Sequence, residues 1–344
     1  MNSFAILFGG VSYEHEISIV SAITLKKVIG QNTVFIFCDA NREFYLVDAK
    51  DMKASYFSSD RYKKCDKLSL QQGGFYKKTL FQEKKIEFQT MINLIHGKEG
   101  EDGTISSLLD FFGIEYIGPR IEGSVISYNK EFTKLYALSR NIEVLDYEVL
   151  KNTDVRKCSF DYPVIVKPLR LGSSIGLSIA KNEKEFDYAL DVAYEFDDTV
   201  LIEPFYDGIK EYNLAGAKTK DGYIFSFIEE PLKQSILDFD KKYLDFSRSE
   251  GVNKAKISKD LQIFMEESFK KLYSNIFEGA IVRCDFFVKD DKLYINEINP
   301  VPGSLANYLF DNFNEVISDI YLPKNRIVPI EYRYINSINA AKGK

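Results

Sequence analysis

The opening forty residues restrict the fold more than any other stretch. Residues 4–8 (FAILF) are a short apolar run stopped by Gly9-Gly10, which suits a buried strand entering a turn. From Ser18, the apolar residues Ile19, Ala22, Ile23, Leu25, Val28 and Ile29 recur at helical spacing, and Gly30 follows as a C-terminal cap. Residues 33–38 (TVFIFC) then read as a second strand. A strand, a crossing helix and a second strand imply a parallel sheet, so the expected class is α/β. The pattern returns with a strand at 91–95, a helix at 104–112 closed by Gly113, and a strand at 114–117. Between them, residues 41–88 read as short strands and loops added to the same unit.

The chain has 344 residues, enough for two or three domains. Gly118-Pro119 and Pro204 are the natural breaks, giving expected domains 1–118, 119–203 and 204–344. The middle unit reads as a helix at 127–139, a strand at 163–167, a Gly/Ser loop at 172–176, a strand at 177–180, a helix at 183–196 and a strand at 199–203. The last unit reads as strands at 211–218 and 223–229, a helix near 261–276, and a hairpin of strands 280–288 and 292–298 around Asp290-Asp291. Residues 232–256 are charged and aperiodic, the composition of a functional loop.

Charge and rare residues exclude several classes of function. Lys plus Arg is 45 and Asp plus Glu is 51, a net charge of −6, which argues against nucleic-acid or anionic-membrane partners. No run approaches the ~18 apolar residues of a membrane span. The first residues lack a basic region and a long apolar stretch, so a cytoplasmic location is expected. Four cysteines without a C-x-x-C pair disfavour a zinc site, and two histidines, His15 and His96, limit histidine chemistry.

Five constellations remain. In the last hairpin, Arg283 and Asp285 share one strand face, as do Glu297 and Asn299. A three-residue loop, 290–292, would pair Asp285 with Glu297 and Arg283 with Asn299, and would leave Cys284, Phe286, Tyr294 and Ile298 on the opposite face. Two carboxylates and an amide oxygen are the hard donors magnesium prefers, although a solvated face of cross-strand ion pairs has the same composition. Lys167 ends a strand just before Gly172-Ser173-Ser174-Ile175-Gly176, where backbone N–H groups can converge on phosphate; a simple hairpin turn fits equally. Gly9 to Glu16 joins strand to helix, with Glu14 and Glu16 able to hold an ammonium or to complement the helix dipole. His96 to Gly103 holds three glycines in eight residues, allowing close backbone approach to a ligand, with Asp102 also suited to cap the next helix. Lys241-Lys242-Tyr243 sits at the centre of the 232–256 loop, which could serve as a lid excluding water.

The order of these pieces resembles the D-alanine–D-alanine ligases of the ATP-grasp superfamily. The matching stretches are FGGVSYEHEIS at 8–18, HGKEGEDG at 96–103, YIGP at 116–119, SYNKEFTK at 127–134 and VIVKPLRLGSSIG at 164–176. VLIEPF at 200–205, DFDKKY at 238–243, RCDFF at 283–287 and NEINPVPG at 296–303 complete the series. The resemblance implies a three-domain ATP-grasp fold, with a Rossmann-like first domain and two α+β domains around ATP. It implies that one D-alanine carboxylate is phosphorylated by ATP and that the amine of a second D-alanine displaces the phosphate.

By the same resemblance, Lys130, Lys167, Lys242 and the loop residues Gly172, Ser173 and Ser174 meet ATP phosphates. Glu203 lies at adenine and Glu211 at ribose. Asp285, Glu297 and Asn299 hold two Mg²⁺ ions, for which Mn²⁺ substitutes. Glu14 and His96 receive the first D-alanine, Arg283 and Gly303 stabilise the oxyanion, and Glu14, Ser173 and Tyr243 fix the closed lid. Tyr308 occupies the position of the family's Ser that helps bind the second substrate's carboxylate, so the hydroxyl of Tyr308 or of Ser304 would substitute for it. A homodimer is expected. The chain departs from the family pattern at Pro300, where Thr is usual, at Ser304-Leu305-Ala306-Asn307-Tyr308, in the loop after Tyr243, and at Phe239. These departures keep two alternatives in view: an acceptor such as D-lactate or D-serine, and a catalytically silent ATP-binding relative.

Overall fold

The computed structural model describes residues 3–30, 32–231, 252–324 and 328–342. Lys242, Tyr243, Phe239 and most of the expected lid lie outside the described residues. The fold is α/β, built on three sheets.

The first sheet has eight strands. β1 (Phe4–Gly9) lies between β2 (Val34–Cys38) and β7 (Thr90–Asn93), parallel to both, and β7 pairs in parallel with β8 (Tyr116–Ile117). The crossing helix α1 (His15–Val28) starts three residues before the apolar pattern does, because the first turn carries His15 and Glu16. The irregular stretch becomes an antiparallel extension: β3 (Phe44–Val47), the short helix α2 (Ala54–Ser58), β4 (Asp66–Gln71), β5 (Gly74–Lys78) and β6 (Glu83–Lys85). Helix α3 (Thr104–Phe111) leads into β8; its N-cap is Gly103 rather than the expected Asp102, whose carboxylate sits one residue earlier and accepts the Thr104 N–H at 2.8 Å.

The expected helix at 127–139 is two helices, α4 (Ile121–Tyr128) and α5 (Lys130–Ser139). Asn129 makes the break: it is extended at φ −97°, and its side chain accepts the N–H groups of Glu131 and Phe132. Lys130 therefore opens a helix rather than lying inside one. The second sheet orders as β11 (Ser178–Ala180), β10 (Val164–Pro168), β12 (Thr199–Pro204) and β9 (Glu148–Lys151), all antiparallel. Helix α6 (Glu183–Tyr194), capped by Asn182, covers it.

The third sheet orders as β14 (Gly222–Phe225), β13 (Lys210–Thr219), β15 (Val282–Lys289) and β16 (Lys292–Asn299). Helix α7 (Lys259–Tyr273) and Tyr136, Ala137 and Ile142 pack on one face of it. The strand expected at 223–229 ends at Phe225, and Glu229 returns as isolated bridges to Asn213 and Lys254. Helix α8 (Phe313–Asp319) turns back to the first sheet, so Val301, Leu305, Phe313, Val316 and Ile317 share one core with Phe4, Ile6, Ile19 and Leu25. The C-terminal helix α9 (Arg333–Lys342) buries nothing.

Candidate active site

The hairpin β15–β16 sets one wall. Its turn is two residues, Asp290 and Asp291, both left-handed at φ 49° and 59°, the geometry of a type I′ turn. A turn that short would pair Asp285 with Asn296. A bulge after Asp285 takes up one extra residue, so Asp285 pairs with Glu297 and Arg283 with Asn299 after all. The expected pairing is present, by a different route. The route has a consequence for the opposite face: Leu293 and Ile295 enter the core with Phe286 and Ile298, whereas Tyr294 pairs with Phe287 on the other side. Asn296 and Glu297 are both half-buried on the site side, and the Asn296 Oδ1 is buried without a partner.

Arg283 grips Asp285 with two hydrogen bonds, Nε to Oδ1 and Nη2 to Oδ2, each 2.7 Å. The Asn299 amide donates to Asp285 Oδ2 at 2.9 Å. Burial pushes the Asp285 carboxyl up to about 7 against the Arg283 charge, and the Glu297 and Glu211 charges push the same way. A buried acid short of positive charge, beside a second carboxylate and an amide oxygen, is a donor set that fits a hard divalent cation. On β13, Glu211 pairs with Phe287 and Asn213 with Asp285, so both join this face.

The second wall is the 164–180 hairpin with α5. Glu203 Oε2 lies 2.6 Å from Lys167 Nζ, and Glu203 Oε1 lies 2.5 Å from Lys134 Nζ. Glu203 is 2% exposed and Lys134 1%. Burial alone would raise the Glu203 carboxyl, but the two lysines hold it down to about 2. Burial pushes the Lys134 ammonium below its usual value. Both directions follow from two buried cations sharing one anion. Glu203, expected at adenine, thus has its carboxylate engaged by lysines. Lys134 was missed, although Lys130 and Lys134 at i and i+4 share a helix face. Lys130 Nζ donates to the Leu171 carbonyl at 2.5 Å, with the Glu297, Glu14 and Glu101 charges favouring its protonated form against burial. Ser173 and Ser174 are left-handed at φ 55° and 58°, curling the loop toward the first domain.

The third wall is Glu14, 4% exposed. Ser173 Oγ donates to Glu14 Oε1 at 2.6 Å, tying the 172–176 loop to the turn before α1. A Cβ at Gly97 would meet Glu14 Oε2 at 2.5 Å, and one at Gly172 would meet Oε1 at 3.0 Å, so both glycines are required by close approach. Burial raises the Glu14 carboxyl, opposed by the Ser173 hydrogen bond and the Lys130 charge. Glu101 is raised well above the usual range by burial and the Glu14 charge. Glu99, another residue the sequence reading passed over, accepts the Val11 N–H at 2.8 Å and the Arg42 guanidinium at 2.6 Å, clamping the loop that carries Glu14.

His96 is 4% exposed; its Nδ1–H donates to the Leu94 carbonyl at 2.7 Å, and burial pushes it down to about 4. His15 Nδ1 meets the Gly10 carbonyl at 2.6 Å, a structural contact. The Ser304 N–H donates to Ser21 Oγ at 3.0 Å, linking the stretch after buried Gly303 to α1. Ser304, Leu305 and Ala306 are all left-handed, at φ 50°, 52° and 51°, a turn that L-residues adopt only when packing holds them. Ser304 is fully buried, its Oγ without a hydrogen-bond partner, and Tyr308 lies near Arg283, whose charge opposes the rise that burial imposes on its hydroxyl.

Residues 3–119 match the family described as D-ala D-ala ligase N-terminus, and residues 138–314 the one described as D-ala D-ala ligase C-terminus. The chain is 58% identical to the D-alanine–D-alanine ligase of a Nitratiruptor species over 341 residues, covering 98% of this chain and 99% of that one. It is 55% identical to the enzyme of the same description from Wolinella succinogenes, over 99% of this chain and 100% of that one. The crystal structure of D-alanine–D-alanine ligase from Helicobacter pylori superposes with a TM-score of 0.85 at 48% identity, over 95% of this chain and 100% of that one. The VanG D-Ala:D-Ser ligase of Enterococcus faecalis, at 21% identity and TM-score 0.73 over 92% of this chain and 96% of its own, shares the fold.

Proposed function

The chain belongs to the D-alanine–D-alanine ligase family, and on that premise we propose how its residues divide the work. It has the ATP-grasp architecture and catalyses ATP-dependent ligation of two D-alanines, for peptidoglycan synthesis. A free carboxylate is a poor electrophile, so one D-alanine carboxylate takes the γ-phosphoryl group of ATP, giving an acylphosphate and ADP. The amine of the second D-alanine attacks that carbonyl, and phosphate leaves with the bonding pair.

The observation that carries the assignment of roles is the Ser173–Glu14 bond, which joins the phosphate-loop wall to the wall of the first substrate. Glu14 receives the ammonium of the first D-alanine, and His96, neutral at physiological pH, shapes its pocket without supplying a charge. Lys130, Lys167 and the N–H groups of Gly172, Ser173 and Ser174 take the phosphates. Lys242, outside the described residues, is assigned to the γ-phosphate and Tyr243 to lid closure. Glu203 and Glu211 flank the nucleoside. Arg283 and the Gly303 N–H face the developing oxyanion, with Tyr308, and less directly Ser304, beside the second D-alanine.

Asp285, Glu297 and Asn299 would hold Mg²⁺, in a pair of ions that Mn²⁺ could replace; bound there, the metal supplies charge neutralisation to the phosphates. The proposed units are 1–118, 119–203 and 204–344, with the 232–256 lid in the third. A homodimer and a cytoplasmic location complete the proposal; no helix among the described residues is long and apolar enough to cross a membrane.

Incubation with D-alanine, ATP and Mg²⁺, followed by mass spectrometry, tests the reading. D-alanyl-D-alanine and ADP in equal amounts support it, and absence of both refutes it. Competing D-lactate or D-serine in the same mixture reads the acceptor, the point on which Tyr308 and Pro300 depart from the family.

A further inference from the structure

Glu14 Oε2, Asn213 Oδ1, Asn296 Oδ1 and Ser304 Oγ are among the buried polar atoms without a hydrogen-bond partner. Asn213 has no role in the reading above. It is 6% exposed and pairs with Asp285 across β13 and β15, so its side chain stands on the face that carries Glu211, Asp285 and Glu297. Its neighbours Tyr212 and Leu214 enter the core on the opposite face.

The orientation of its amide is determined. Asn213 Nδ2 donates to Glu229 Oε2 at 3.0 Å. Reversing the amide would set a carbonyl oxygen against a carboxylate, so the nitrogen faces Glu229 and the oxygen faces away from it. Two backbone hydrogen bonds, Asn213 N–H to Glu229 O at 2.9 Å and Glu229 N–H to Asn213 O at 3.0 Å, fix the pair further. A buried carbonyl oxygen left bare this way is costly unless something donates to it.

We propose that Asn213 is a further binding residue of the cleft, its Oδ1 accepting a hydrogen bond from an O–H group of the bound nucleotide–cation complex. Two sources share that chemistry: a ribose hydroxyl, or a water carried by the divalent cation. The proposal rests on the ligase reading only for the presence of nucleotide and cation. Asn296 Oδ1 is bare too, but no partner fixes its amide.

The test is equilibrium binding to the full chain of ATP, 2′-deoxyATP and 3′-deoxyATP with Mg²⁺, and of Mn²⁺ to the ADP complex by electron paramagnetic resonance. Asn213→Ala and Asn213→Leu are compared with the unaltered protein. A ribose donor predicts that one deoxynucleotide binds the unaltered protein about tenfold more weakly than ATP, and that the variants bind ATP that weakly with no further loss for the deoxynucleotide. A cation-borne donor predicts equal binding of all three nucleotides and about tenfold weaker Mn²⁺ binding in the variants. Variants with unchanged thermal midpoints and all affinities within twofold overturn the proposal. If neither variant folds, Glu229→Gln decides, because it leaves Asn213 in place but removes the anion that holds its nitrogen inward and its oxygen outward, so the amide can reverse. Threefold or greater weakening then supports the proposal, and unchanged binding overturns it.

Discussion

Replacing Glu203 by Gln should be among the most damaging single-atom-scale changes in the molecule. Glu203 is the anion between two buried ammonium groups, at 2.5 Å and 2.6 Å. The amide that replaces it has one acceptor oxygen and no charge, so Lys134 and Lys167 are left facing each other with little compensation. Breaking a buried ion pair by removing one partner costs about 3–5 kcal/mol. The pH dependence carries the sign. In the variant the buried lysines hold their protons less tightly than in the unfolded chain, so unfolding takes up protons. Stability must then rise with pH as the lysines discharge, by up to about 1.4 kcal/mol per pH unit for each proton. Lys134, already pushed down in the native protein, discharges first. Denaturation followed from pH 7 to pH 10 measures both effects. A loss below about 1 kcal/mol at pH 7, or one that grows toward pH 10, refutes the reasoning. The companion Lys134→Met leaves a one-to-one pair, so stability should fall less than in Glu203→Gln. Lys167 then stays on Glu203, and KM for ATP should rise.

Ser173→Ala removes a hydrogen bond to a buried carboxylate, which should lower kcat/KM for the first D-alanine about 10–100-fold and move the Glu14-dependent acid limb to higher pH, read from a pH–rate profile. His96 is pushed down to about 4 from the ordinary 6.5, so its contribution to stability is complete above pH 6.5 and is lost as pH falls toward 4, about 3 kcal/mol in all. Thermal midpoints of the unaltered protein and His96→Gln between pH 4 and pH 8 should converge toward the acid end. Glu99→Ala releases both Val11 and Arg42 and should raise KM for the first D-alanine about tenfold with KM for ATP unchanged, as initial-rate kinetics would record.

Much of this site was legible because its residues alternate on strands. Arg283, Asp285, Glu297 and Asn299 announce a shared face by spacing alone. The bulge that aligns them was not recognised, although Ile295 and Ile298, two core residues three apart, break the period of two. The α1 helix and the parallel β1–β2–β7 core follow from apolar runs punctuated by glycine. Asn129 divided a helix that apolar spacing read as continuous, because a side-chain cap outweighs periodicity. Lys134 and Glu99 were less legible for another reason: a charged residue reads as surface until the fold supplies a buried counter-ion. The left-handed run at Ser304, Leu305 and Ala306 carries no glycine signal at all; its cost is borne by burial against the first domain, a long-range contact invisible to local pattern.

The bulge in β16 also makes Asn296 a surplus residue. Without it, Leu293, Ile295 and Ile298 would still alternate with Tyr294, Glu297 and Asn299, and Asp285 would still stand opposite Glu297. The strand thus stores one residue of slack between the hairpin tip and the ligand-bearing end. A one-residue deletion or insertion at the tip, which would otherwise turn every side chain beyond it to the wrong face, can be absorbed by erasing or relocating the bulge. Related chains can therefore drift in hairpin length while their carboxylates remain in phase, and length variation in this hairpin is a poor guide to whether the cation-binding face survives.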